Sequence, residues 1–136
     1  MINQSGQTLI VFTLVCALTL LGTIALVGNT QVLFVNSNRA DAAALLAAQA
    51  GASAIDERAL YGNSVQLDPA LAASRCDQAA RQAPFVVAVK CDVGADSVTA
   101  TVTESVDMPV PLWSGAETLR ATRTAKPAFG GHTGGF

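Results

Sequence analysis

Charge is missing from the first 38 residues of this 136-residue chain, and all eighteen Asp, Glu, Lys and Arg side chains lie between Arg39 and Lys126. Aromatic residues make up only 5%, with one Trp, one Tyr and one His. With eight basic against ten acidic side chains there is no basic excess to grip a nucleic acid. There is no phosphate-binding glycine loop, no His-x-x-x-His, no Cys-x-x-Cys and no set of residues that reads as a catalytic triad. One His with Cys76 and Cys91 is too few ligands for a zinc site. His132 lies in Gly130-Gly-His-Thr-Gly-Gly135, which reads as a flexible tail over 129–136. No cofactor is expected, and an enzyme is not expected either. What the chain does have is 51% apolar residues, too many for a disordered protein, and a length that suits one domain plus an appended segment.

The appended segment is at the N-terminus. Thr8–Gly28 reads TLIVFTLVCALTLLGTIALVG, long enough as a helix to cross the roughly 30 Å hydrocarbon core of a bilayer. Its threonines are tolerable because each hydroxyl can bond a carbonyl one turn earlier. A cleaved secretory signal has a basic start and a shorter apolar core. Neither is found here, so a retained anchor is expected over 8–28 behind a short flank, 1–7. Cys16 reads as a buried apolar thiol.

Residues 36–60 follow as an alanine-rich extension, and alanine's helix propensity carries one helix over 8–60, a rod of roughly 80 Å. Ala40, Ala43, Ala44, Ala47, Gly51, Ala54 and Ile55 share one face. Such small side chains allow close helix packing, either with neighbouring helices or with the chain's own domain. Phe12, Gly22 and Gly28 are packing candidates within the apolar run. Tyr61-Gly62-Asn63 is the expected stop.

Residues 61–128 read as a small α+β domain. Asp68-Pro69 opens a helix to about Ala83, with Ala72, Cys76, Ala79, Ala80 and Ala83 on its apolar face and Pro84 after it. The period then becomes two, giving strands at Phe85–Cys91, Val98–Thr103 and Glu117–Ala125, with a turn at Gly94–Asp96. Met108–Trp113, with two prolines, reads as a connecting excursion. Glu104 and Asp107 read as solvated edge charges that discourage sheet-to-sheet pairing. The expected fold is α+β: a long N-terminal transmembrane helix continuing into one helix packed on a three-stranded antiparallel sheet. Cys76 and Cys91 come together in that fold, as buried thiols in a reducing compartment or as a disulfide outside the cytoplasm. The membrane helix upstream favours the disulfide, which would contribute roughly 3 kcal/mol by closing a short loop.

The order of a polar leader ending in Gly6, an apolar helix, Arg39-Ala-Asp-Ala-Ala-Ala-Leu-Leu-Ala-Ala-Gln49 and a Thr/Val-rich hairpin resembles the TadE/TadG-like pseudopilins of Tad (Flp) pilus systems. Cys76-Asp-Gln-Ala-Ala, Val87-x-x-x-Cys91 and Asp96-Ser-Val-Thr-Ala-Thr-Val-Thr103 are similar to the actinobacterial TadE-like branch. The resemblance implies a type IV pilin-like fold and cleavage by a prepilin peptidase between Gly6 and Gln7. It also implies assembly with other pilins by the Tad machinery; the charge balance above predicts no direct contact with nucleic acid. Where pilins carry a Glu that aids assembly, this chain has Val11, followed by the expected aromatic, Phe12. The function implied is a minor pilin or pseudopilin of a surface filament; the alternative is a monomeric, single-pass binding module at the plasma membrane with its domain outside.

Overall fold

In the computed structural model, residues 4–56, 61, 66–108 and 116–127 are described. Helix α1 runs over Gln4–Ala52, 49 residues and about 74 Å at 1.5 Å per residue. Helix α2 is Pro69–Arg81, and strands β1 (Val86–Val93), β2 (Val98–Val106) and β3 (Glu117–Ala125) form one antiparallel sheet in the order β1-β2-β3. The expected fold is the one observed: a long apolar N-terminal helix leading into a small α+β domain.

Two solvents divide α1. No described side chain before Ala40 is buried. From Ala40 onward, Ala40, Ala43, Ala44, Ala47, Ala48, Gly51 and Ala52 are buried at helical spacing. This face lies on β2 and β3 and against α2, which in turn covers β1. The alanine stripe is therefore part of the domain's own core.

Alanine propensity does not carry α1 to Leu60. The helix ends at Ala52 because other groups claim the carbonyls that would continue it. Arg75 Nη1 donates to the Ser53 carbonyl at 3.2 Å, and the Asp68 amide donates to the Ala54 carbonyl at 3.0 Å. Ile55 then bridges to Leu67, and the Asp56 amide donates to Gln66. Tertiary partners override local preference here. Leu60, Gly62-Asn63, the 109–113 excursion and the tail with His132 lie outside the described residues.

Asp68 caps α2 as its position predicts, its Oδ1 accepting from the Ala70 and Leu71 amides at 3.0 and 3.2 Å. Ala72, Cys76 and Ala80 are buried one turn apart, while Ala79 and Ala83 are half-buried. On β2 the alternation is complete: Val98, Ala100, Val102, Glu104 and Val106 face inward. The threonines face out and pair across strands, Thr99 with Thr124 and Thr101 with Thr122.

Glu104 is therefore not a solvated edge charge. It is 3% exposed, on the central strand. A period of two puts residue 104 on the same face as Val102 and Val106, whatever its chemistry. Asp107, one residue beyond the strand, is exposed as expected.

The tightest contact is at Gly51. A Cβ there would lie 2.8 Å from Val98 Cγ1, 3.1 Å from the Ala72 carbonyl oxygen and 3.2 Å from Cys76 Cβ. Gly51→Ala gains about 1 kcal/mol of helix propensity but forces apart a contact that includes backbone. The variant should lose about 1–2 kcal/mol net, and Gly51→Val more. Denaturant unfolding of the full chain in detergent checks this; a stabilised Gly51→Ala would show that α1 and α2 are not so closely packed.

Candidate functional site

Alternating apolar bulk and threonine make the first part of α1 a self-contained lipid-facing helix. Thr13, Thr19, Thr23 and Thr30 each donate a hydroxyl hydrogen bond to a carbonyl three or four residues earlier, at 2.8–3.0 Å. No hydroxyl in this set is left to the hydrocarbon, where an unpaired one would be costly. Leu9, Phe12, Leu18, Leu21, Ile24 and Leu26 are all strongly exposed. The helix is long and apolar enough to cross a membrane. With its packed C-terminal half, it makes the protein a membrane-anchored domain of pilin-like architecture.

Gly6 and Gln7 lie in the first turns of α1, and Gly6 is exposed. A Cβ at Gly6, Gly22 or Gly28 would meet nothing within 4 Å, and Phe12 is likewise uncovered. Cys16 is exposed on the same surface rather than buried within protein. The candidates Ala40, Ala43, Ala44, Ala47, Gly51 and Ala54 are covered by the domain. The packing candidates thus fall into two sets, one facing outward and one spent on the fold.

Three interactions tie the domain together, and one of them reaches α1. Cys76 and Cys91 form a disulfide between α2 and β1, with Cα atoms 6.3 Å apart. Arg123 of β3 makes a two-pronged ion pair with Asp41 of α1, Nε to Oδ1 and Nη2 to Oδ2, both at 2.6 Å. The guanidinium matches both carboxylate oxygens, the geometry that makes such pairs directional. Lys126 closes on Asp96 at 3.1 Å, joining the end of β3 to the β1–β2 turn. Sequence spacing could not pair Asp41 with Arg123, since they lie 82 residues apart.

Between α1 and the C-terminal end of α2 runs a largely apolar groove of about 640 Å³, lined by Arg39, Ala42, Ala43, Leu46, Ala50, Ala79, Gln82, Ala83 and Phe85. Its lining holds no nucleophile beside a base. Among the described residues no cluster of three or more His, Cys, Asp or Glu is placed to hold a metal ion. Glu104 also turns inward against the expectation from its charge, and Arg39 supplies the opposite charge that acts on it. The Val98-x-Ala100-x-Val102 alternation, carried two residues further, was the signal that could have found it. No known protein family, curated protein or solved structure matches the chain.

The Arg123 hydrogen bond holds the Asp41 carboxyl below the usual aspartate range; burial opposes this in part, and the guanidinium charge adds to it. A carboxyl with a lowered folded pKa stabilises above its unfolded value and loses that contribution as pH falls through the folded one. Asp41→Asn should therefore lower the melting temperature at neutral pH, and the two proteins should converge in strong acid; parallel curves would contradict the pairing. Reducing the Cys76–Cys91 bond should cost roughly 3 kcal/mol. The check is denaturant midpoints with and without reductant, and an unmoved midpoint would show that the bond constrains nothing.

Proposed function

We propose that the chain is a single-pass, membrane-anchored structural or binding module that presents its α+β domain outside the cytoplasm. The observation that carries this is the division of α1: before Ala40 no described side chain is buried and the run over 8–28 is apolar, whereas from Ala40 onward one face of the helix is domain core. A helix apolar on all sides belongs in lipid, and one apolar on a single stripe belongs against a domain. The disulfide supports the outside location, since such bonds persist in oxidising compartments. The surface on offer consists of a hydroxyl-rich sheet face and a mostly apolar groove, both suited to holding a partner. We assign the domain no reaction and no cofactor.

One observation favours a second, finer reading, in which the chain is a minor pilin-like subunit. No linker separates anchor from domain, because a single 49-residue helix serves both. A tethered receptor gains reach from a flexible linker. A rigid rod instead suits a subunit whose helix packs beside others, with Gly6-Gln7 as the processing site and Phe12, Gly22 and Gly28 on the helix surface left free for neighbours. Its partners would be other pilins, the prepilin peptidase and the Tad assembly machinery.

Lys90 and Lys126 are exposed on the domain and can report its location. A membrane-impermeant amine reagent applied to intact cells should modify both. Modification only after lysis would place the domain in the cytoplasm and overturn the proposal. Exchanging 8–28 for an unrelated apolar helix separates the two readings. A module keeps its surface display and monomeric state in detergent, whereas a subunit disappears from sheared filaments. Native protein beginning at Gln7 by mass would favour the subunit.

A further inference from the structure

Glu104 is the one buried charged side chain among the described residues, and its Oε2 has no hydrogen-bond partner. It stands on the inner face of β2, the face that α1 covers. Its neighbours offer almost nothing to an anion. Its register partners are Leu119 on β3 and Val86 on β1, and the β1 ladder shifts register between Val86 and Ala88. On α1, Asp41 is engaged by Arg123, while Arg39 is exposed and forms no ion pair with a described residue. On β3, Arg120 is the register partner of outward-facing Thr103. On β1, Lys90 and Asp92 pair with each other, and on α2 Asp77 and Arg81 do the same. Among the described residues, Arg39 is thus the one charge of opposite sign that acts on Glu104.

A carboxylate with a buried, unpartnered oxygen is costly, and a protonated carboxyl in the same place much less so. Burial accordingly raises the Glu104 pKa above the usual glutamate range, and Arg39 only partly offsets this. For a carboxyl raised in the folded state, the sign is opposite to that of Asp41. The folded protein binds the proton more tightly than the unfolded one, so stability rises as pH falls towards the unfolded value. Arg39 is also the first charge after the apolar run, so this weak point lies where the domain meets the membrane-facing part of the helix.

We propose that the seat of the sheet on α1 is an acid-tightened joint: ionised Glu104, steadied only by Arg39, leaves the membrane-proximal end of the sheet loosely held, and protonation of Glu104 from solvent lets it close. Acidification of the space outside the cell would then stiffen the coupling between anchor and domain. The pose of the domain over the membrane becomes a function of external pH.

The test is thermal unfolding of the full chain in detergent micelles at roughly pH 7.5 and pH 5, a range above the Asp41 titration. Glu104→Gln fixes the neutral form. It should raise the midpoint at the higher pH by about 3–6 °C, and its advantage over the parent should shrink at the lower pH. Arg39→Gln should lower the parent's midpoint at the higher pH and do nothing in the Glu104→Gln background. Hydrogen-exchange protection of the Val102–Val106 amides should follow the same pattern. A Glu104→Gln chain that is less stable than the parent at the higher pH, that fails to fold, or that differs from it equally at both pH values overturns the proposal. An Arg39→Gln effect that is the same in both backgrounds overturns it too.

Discussion

The close approach of two small-residue helix faces at Gly51 is the contact on which the rest of the structure depends. Because Gly51 has no side chain, α2 can lie with the Ala72 carbonyl and Cys76 Cβ directly over α1, and Val98 of the sheet can reach the same point. That meeting places Cys76 within reach of Cys91 and sets the distance at which the alanine stripe meets the sheet. Close packing of this kind has a weakness. Alanine buries little apolar area, and the largest fully buried side chains are only Val98, Val102 and Cys76. A core so lean gains from ties that do not depend on area, which is what the disulfide and the Asp41–Arg123 pair supply.

The same constraint explains why one helix can serve two solvents. Lipid demands apolar side chains all round, and residues 8–28 of α1 meet this with Leu, Ile, Val and Thr, of which Thr13, Thr19 and Thr23 bond back to the helix. The domain demands a narrow stripe and close approach, which the alanines meet from residue 40 onward. Arg39 lies at the change of regime. Since the backbone runs helical through this point, displacement of the anchor is transmitted to the domain without a hinge. This stiffness is what links the proposed display of the domain to a pilin-like role.

Much of this was legible in the sequence, and the misses have two causes. Periodicity located all three strands and α2, and the Asp68-Pro69 cap, because each depends on residues close together in the chain. The pairing of Cys76 with Cys91 followed from where those elements placed them. The end of α1 was not legible: the groups that stop it, Arg75 and Asp68, are distant in sequence and reach back to Ser53 and Ala54. The Asp41–Arg123 pair was hidden for the same reason. Glu104 has another cause: its charge argues for solvent, whereas the register of its strand turns it inward. In the anchor, composition shows the solvent of Gly6, Phe12, Gly22 and Gly28, but not which neighbour, if any, lies against them.

The central claim is that anchor and domain core are one continuous helix. Hydrogen exchange of the full chain in lipid nanodiscs tests it most directly. A continuous helix gives unbroken protection of α1 amides from the lipid segment through Asn36-Ser37-Asn38-Arg39 and on to Ala52. Rapid exchange confined to 36–39, between two protected stretches, would mean that a hinge separates two helices, and would contradict it.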